Sequence, residues 1–303
     1  MVEKIVVALC LGLTLFTMDV KAGQFPVLIL NTQNNKGVLP RKFRSTSASF
    51  LQEGYSSKSL ESLHASGSAQ FSKNELGELL KKIKRPHLIV IDLRQESHGF
   101  LNHMAVSWFC PKNWINKDKT IEQIEQEELQ LLNHLSQQHE VMIYKRRPKE
   151  DHTIQDGIPT IVKSVMSEQE LCNHVFNVGY FRITVADHTR PDDAAIDRFI
   201  QFITTLPPFT WLHFHCSAGE GRTSTFMSMY DMMRNAKELS LEEIFKRQFD
   251  LGGVCFLDEP SEDLWNYALK KERIVFLKQF YQYCRSNSDN YNQLWSEWIR
   301  ILN

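Results

Sequence analysis

The sequence predicts an α/β fold with a central, largely parallel sheet flanked by helices. Three observations point there. Short apolar, β-branched runs alternate along the chain with longer amphipathic segments, the pattern of strands joined by crossover helices. Capping boxes, a Ser answered three residues later by Glu, stand ahead of two of those segments. The 303 residues are 42% hydrophobic, enough for a packed core, and hold no internal repeat, low-complexity tract or long Pro/Gly linker to divide them.

In chain order, Val27 to Leu30 reads as the first strand, followed by a basic, Ser-rich loop from Lys36 to Ser49. Ser72-Lys73-Asn74-Glu75 opens a helix to about Lys84, and His87 to Ile91 is a buried strand with Asp92 at its carboxyl end. Thr120 to His139 is a long helix carrying apolar Ile121, Ile124, Leu131, Leu132 and Leu135, with its acids on a solvated face. Between 141 and 165, β-branched runs, a Gly157-Ile158-Pro159 turn and the cluster Lys145, Arg146, Arg147, Lys149, Glu150, Asp151 predict a small antiparallel β excursion. Ser167 to Glu170 caps a helix to about Phe176, and Tyr180 to Val185 is a strand. Pro191, Asp192 and Asp193 suit the first turn of a helix to Thr205. Trp211 to His215 is a short buried strand and Arg222 to Asn235 a helix. Helical segments near Leu241 to Phe249, Ser261 to Arg285 and Asn290 to Ile301 complete the chain.

The apolar run from Ile5 to Phe16 is too short to span about 30 Å of hydrocarbon. Lys4 precedes it and Val20-Lys21-Ala22 offers small residues for cleavage, so residues 1–22 read as a signal peptide and 23–303 as one domain, secreted or periplasmic, with no stable membrane insertion after cleavage. Lys+Arg 35 against Asp+Glu 36, net charge -1, excludes a general nucleic-acid binder, which needs a basic surplus. Any basic site is therefore local. Cys110, Cys172, Cys216, Cys255 and Cys284 follow the leader without metal-type spacing, and their odd number leaves at least one thiol free or paired between chains.

The decisive segment is His215-Cys216-Ser217-Ala218-Gly219-Glu220-Gly221-Arg222-Thr223, between a predicted strand and a predicted helix. Gly219 and Gly221 let the backbone N–H groups of the turn converge, and the helix start adds its positive end, so the loop fits a phosphate dianion. The same field favours the thiolate, the nucleophilic form of Cys216. Arg222 offers a planar fork for two phosphoryl oxygens, and the Thr223 hydroxyl can donate to the sulfur.

This segment resembles the HCxxGxGR[ST] signature of the cysteine-dependent phosphatases. Thr184-Val185-Ala186-Asp187-His188-Thr189-Arg190-Pro191 resembles their acid loop, which implies Asp187 as general acid and base, with Asp197 as the other candidate. Leu39-Pro40-Arg41-Lys42-Phe43-Arg44-Ser45, Asp92-Leu93-Arg94-Gln95-Glu96-Ser97-His98-Gly99 and the Asp187-His188 pair narrow the resemblance to the protein-tyrosine-phosphatase-like inositol phosphatases, or cysteine phytases, over nearly the whole chain after the leader. It implies stepwise hydrolysis of inositol polyphosphates through a phosphocysteine, without metal or cofactor.

The loop residues Ser217 to Gly221 would then hold the scissile phosphate. Arg41, Lys42, Arg44, Lys271, Lys278 and His188 would face the others, with Asp92 near the site and Glu96 and His98 as ligands or structural groups in equal measure. Departures are Ser217 and Glu220, where phosphoinositide phosphatases carry lysines, and Arg190, where the family carries an aromatic. Glu220 is expected to point outward, toward a cation such as Lys271, and Cys255 to be buried in the core. Arg190 leaves the acid loop looser or itself reaches phosphate. A secreted protein-tyrosine phosphatase is the main alternative; a non-catalytic phosphate-binding module and a rhodanese-like sulfurtransferase are the others.

Overall fold

The computed structural model of the chain describes residues 26–47, 58–145 and 156–302. The predicted leader, residues 48–49 of the basic loop and the charged run 146–151 lie outside the described residues. The chain runs β1 (Val27–Thr32), β2 (Arg44–Ser45), α1 (Lys58–Glu61), β3 (Ala65–Ala69), α2 (Lys73–Ile83), β4 (Leu88–Arg94), β5 (His98–Leu101) and β6 (Met104–Phe109). It continues with α3 (Ile121–Ser136), β7 (Glu140–Tyr144), β8 (Gly157–Ile161), β9 (Val165–Met166), α4 (Glu168–Glu170) and β10 (Gly179–Val185). The last third holds α5 (Asp193–Thr205), β11 (Trp211–Cys216), α6 (Gly221–Asn235), α7 (Leu241–Asp250), α8 (Tyr267–Ser286) and α9 (Trp295–Leu302).

Helix starts follow their caps. Reciprocal capping boxes stand at Ser72/Glu75, Thr120/Gln123, Ser167/Glu170 and Ser240/Glu243, each satisfying two orphan N–H groups. Asp192 caps α5, so Pro191 sits outside the helix and not in its first turn. The segment after Ser261 becomes helical only at Tyr267, and the final helix only at Trp295.

The predicted largely parallel sheet is present, and a second sheet stands beside it. The five-stranded sheet, ordered β10-β4-β11-β3-β2, is parallel except for the edge strand β2. The other, ordered β8-β7-β1-β6-β5-β9, is mostly antiparallel. The excursion predicted within 141–165 is thus only one edge of a sheet that also recruits β1, β5, β6 and β9.

The period of two along β4 and β11 sorts the parallel sheet's side chains into two cores. Ile91, Leu93, Leu212, Phe214 and Cys216 face a core built with α5 to α9, while Leu88, Val90 and Trp211 face α2 and the second sheet. A third cluster, around Val106, Leu132 and Ile143, seats α3 on the antiparallel sheet. Because α6 packs against β3, α7 and α8, nearly all of its residues are buried.

Candidate active site

β11 places the nucleophile. His215 pairs in register with Asp92 of β4, and Cys216 with Ala69 of β3, so the strand ends between two neighbours and its chain must turn sharply into α6. Gly219 makes that turn with φ +74, and a Cβ there would stand 2.4 Å from the Ala69 nitrogen. At Gly221 a Cβ would meet Arg273 Nη1 at 2.6 Å, so this second glycine admits a guanidinium against the loop. The loop and the start of α6 border a cavity of about 410 Å³, lined by Cys216, Ser217, Ala218, Glu220, Gly221 and Arg222. Cys216 is 2% exposed, and the Thr223 hydroxyl donates to its Sγ at 3.2 Å.

Arg222 is fixed from behind. Its Nη1 and Nη2 meet Glu96 Oε2 and Oε1 at 2.6 and 2.9 Å, a fork-to-fork pair, and Nη1 also donates to the Val185 carbonyl at 3.0 Å. Burial would raise the Glu96 carboxyl, but Arg222 and Arg94 outweigh it and hold it well below the usual range. The free side of Nη2 reaches Asp187 Oδ1 at 3.1 Å.

Asp187 is gripped on all sides. Oδ1 also accepts the His188 backbone N–H at 3.1 Å, Oδ2 accepts Asn113 Nδ2 at 3.0 Å, and Trp114 Nε1 donates to the Asp187 carbonyl at 2.9 Å. Burial pushes its carboxyl up, but Arg222 overrides that and lowers it below the ordinary carboxylate range. Asp197, the other candidate acid, instead accepts the Ser296 N–H at the start of α9 and is not on the cavity wall.

The predicted rim divides. His188 lines the cavity, its ring 4.9 Å from that of Trp265. Arg41 and Lys42 are exposed, and Lys42 pairs with Glu220 at 3.3 Å, so Glu220 points outward to Lys42 and not to Lys271. Arg44 is no rim residue: it is buried and donates Nη1 to the Gly219 carbonyl at 2.8 Å and Nη2 to Ser224 Oγ at 3.1 Å, bracing the loop, with burial lowering it to about 10. On α8 the wall is formed by Lys270, Arg273 and Ile274. Lys271 instead donates to the Tyr267 hydroxyl, and Lys278 is exposed away from the cavity wall. Of the two lysines expected on this helix, neither lines the cavity.

Asp92 is also corrected. β4 runs on to Arg94, so Asp92 lies inside the strand, fully buried, accepting from Tyr180 Oη at 2.9 Å and pairing with Arg182 at 3.1 Å and His98 at 3.2 Å. Glu128, expected on the solvated face of α3, is buried and pairs with Arg182 at 2.8 Å. Asp92, His98 and Glu168 bring ligand atoms within 4.8 Å of one another, yet their chemistry suits an ion-pair network better than a cation. Burial opposes a charge on His98, but Asp92 raises it to about 9, so a proton sits where a metal would need a lone pair. This network reaches the loop through His215, whose Nε2 lies 2.6 Å from Glu168 Oε1.

Arg190 is not on the cavity wall. It pairs with Asp193 at 3.2 Å and Glu272 at 3.1 Å and lies over the Phe276 ring. Cys255 is half-buried on the cavity wall, not in the core, and lies 3.3 Å from Asp258 Oδ2. Arg273, buried and donating to the Thr189 carbonyl at 2.8 Å, was missed by the sequence reading. Burial and then the charge of Arg222 lower it to about 10. An arginine within the apolar series Ile274, Leu277 and Tyr281 was the available signal.

A family model for protein-tyrosine-phosphatase-like phytases, described by inositol hexakisphosphate, matches residues 91–234. A protein-tyrosine-phosphatase-like phytase from Bdellovibrio bacteriovorus is 34% identical, with a TM-score of 0.71 over 91% of this chain and 97% of that one. A protein-tyrosine-phosphatase-like myo-inositol phosphatase from Mitsuokella multacida, solved with myo-inositol-(1,3,4,5)-tetrakisphosphate, is 34% identical with a TM-score of 0.81 over 91% of this chain and 50% of that one. Effector protein hopD2 from Pseudomonas syringae pv. tomato is 26% identical over 224 residues, 70% of this chain and 46% of that protein. The chain spans about half the length of these last two relatives.

Proposed function

The chain belongs to the family of protein-tyrosine-phosphatase-like phytases, and on that premise we propose that it hydrolyses phosphomonoesters of myo-inositol polyphosphates through a phosphocysteine intermediate. The observation that carries this reading is the meeting of Arg222 and Asp187 at 3.1 Å on the wall of the cavity that holds Cys216.

A phosphate dianion entering the loop meets the N–H groups at the start of α6 and the fork of Arg222. Its charge draws Arg222 away from Asp187 and raises that carboxyl's affinity for a proton. Cys216 Sγ then bonds to phosphorus while the ester P–O bond breaks, and Asp187 gives its proton to the departing inositol oxygen. In the second step water attacks phosphorus, the S–P bond breaks, and the Asp187 carboxylate takes the water's proton. The Thr223 hydroxyl at 3.2 Å stabilises the departing sulfur. Side chains supply nucleophile, charge clamp and acid, which supports a metal-independent reaction.

Lys270, Arg273 and His188 on the wall support a polyphosphate substrate. The test is hydrolysis of inositol hexakisphosphate, a phosphotyrosine peptide and a phosphoinositide in EDTA at several ionic strengths, with Cys216→Ser as the inactive control. A preference for the hexakisphosphate that falls with salt supports the reading; turnover by Cys216→Ser, or loss of activity in EDTA, overturns the mechanism. A phosphotyrosine protein substrate is the second reading. It is favoured by Trp265, 59% exposed beside His188, and by Asp258 and Glu259 on the wall, which suit an aromatic phosphoester with basic flanks.

The organisation we propose is a cleaved leader at 1–22 followed by one catalytic domain over 23–303, secreted or periplasmic. The apolar run ahead of Ala22 and the effector relative support it. Among the described residues no helix is long and apolar enough to cross a membrane.

A further inference from the structure

Between β6 and α3 the chain makes a tight turn through Pro111-Lys112-Asn113-Trp114 that no sequence motif marked. Lys112 and Asn113 are consecutive residues at φ 61 and 63, in the left-handed region that only glycine enters freely. Asn113 is 2% exposed, and its Oδ1 has no hydrogen-bond partner among the described residues. A lysine in the left-handed region, where asparagine is tolerated far better, and a buried orphan acceptor burden the fold, and such features persist where the surroundings require them.

What the turn holds is the acid loop. Asn113 Nδ2 donates to Asp187 Oδ2 at 3.0 Å and Trp114 Nε1 to the Asp187 carbonyl at 2.9 Å. A carboxylate only accepts, so the amide must turn its NH2 toward Asp187, and the orphaned Oδ1 follows from that choice. The far side of the turn is anchored as well: Asn116 Nδ2 donates to the Gln95 carbonyl and to Ser97 Oγ, each at 2.9 Å, beside the Glu96 that holds Arg222. Lys112 Nζ lies 4.8 Å from the Trp114 ring and 5.4 Å from that of Trp265, which packs beside His188.

We infer that Asn113 is a positioning residue for the general acid, committing Asp187 Oδ2 to a fixed donor so that Oδ1 exchanges the proton with the leaving oxygen and, later, with water. The inference rests on the proposed reading of Asp187 as acid and base. Each oxygen has a fixed donor, the His188 backbone N–H on Oδ1 and Asn113 on Oδ2, with the His188 ring 3.6 Å from Oδ2; only Oδ1 also faces Arg222, the partner that a bound phosphate would draw off. The charged groups around Asp187 are Arg222 and Arg273 on α6 and α8, Glu96 after β4, and His188 on its own loop. Asn113 is the neutral member of that shell, and its N–H favours the carboxylate.

The experiment is a double-mutant cycle of Asn113→Ala and Asp187→Asn, with inositol hexakisphosphate and p-nitrophenyl phosphate as substrates. Asn113→Ala should lower kcat/KM about 10- to 100-fold on the inositol substrate, whose leaving group needs a proton, and under about 3-fold on nitrophenyl phosphate. It should also move the alkaline limb of the pH profile to higher pH, since a donor to the carboxylate is gone. In the Asp187→Asn background the same change should cost under about 2-fold, because both variants remove one function. Asn113→Asp sets a second buried carboxyl beside Asp187, so the two should share one proton, move the alkaline limb further up than Asn113→Ala does, and lower the unfolding temperature. Additive losses in the cycle, equal losses on both substrates, or an unmoved pH limb overturn the inference while leaving Asp187 as acid. If Asp187→Asn alone leaves inositol phosphate hydrolysis intact, the reading of Asp187 falls and this inference with it.

Discussion

Glu96 and Arg222 meet fork to fork at 2.6 and 2.9 Å with both side chains buried, and Glu96 also takes Arg94 at 2.9 Å. One carboxylate therefore aims the phosphate clamp and offsets two buried guanidinium charges. Glu96→Gln keeps the shape and removes the charge. Breaking a buried pair from one side costs about 3–5 kcal/mol, so urea unfolding should show a loss of that order. Arg222, no longer squared to its partner, should lower kcat by about 10- to 100-fold on every phosphoester tested. An unchanged kcat would mean that the loop alone orients Arg222.

Asp187→Asn should slow inositol phosphates far more than p-nitrophenyl phosphate, since nitrophenolate leaves without a proton. In the free protein Arg222 holds the carboxyl below its ordinary range, so the protonated fraction falls as pH rises through the acid region. For inositol substrates kcat/KM should fall across that region, and Asp187→Asn should flatten the limb. Equal losses on both substrates would point to another acid.

Lys270 and its neighbours separate a wall from a surface. Lys270→Ala should raise KM for inositol hexakisphosphate several-fold and weaken its salt dependence, because Lys270 borders the cavity. Lys271→Ala and Lys278→Ala should each stay within about 2-fold, as expected for exposed charges off the wall. Measured KM values at two ionic strengths decide between the two faces of α8.

The buried ion network makes stability depend on pH in two opposite senses. His98 is raised from 6.5 to about 9, so its contribution is complete below about pH 6.5 and is lost as pH rises through 9, up to about 3 kcal/mol. Glu168 is lowered from 4.5 to about 2: burial opposes this, but His215 beside it prevails, and its contribution is present above about pH 4.5 and lost as pH falls toward 2. Urea midpoints should form a plateau between those limits, and His98→Gln should remove the alkaline fall while leaving the acid one.

The strand, loop and helix from Trp211 to Asn235 were legible because their chemistry is contiguous and their periodicity local. The acid-loop resemblance pointed to Asp187, which does lie on the wall of the cavity that Cys216 lines. The six-stranded sheet was not legible: the β5–β6 hairpin through Asn102-His103 is local, whereas β1 pairs with β6 and β7, and β5 with β9, across long stretches of chain. Arg44 and Arg273 read as basic residues, but sequence does not say which bases are buried, and both turn inward onto the loop. Glu128 was misread because its partner Arg182 stands 54 residues away. Asn113 escaped because it meets Asp187 across 74 residues, from a turn that no residue pattern announced.

The bond from Arg44 to the Gly219 carbonyl joins residues 175 positions apart, and the β3 to β11 pairing that supports it closes a comparable span. Neither closure is rewarded until the intervening chain is in place, so such contacts form late and slowly. Helices started by their own caps need no such wait. During refolding, helical signal should therefore return well ahead of turnover, which makes catalytic recovery a clock for the last long-range closure of the chain.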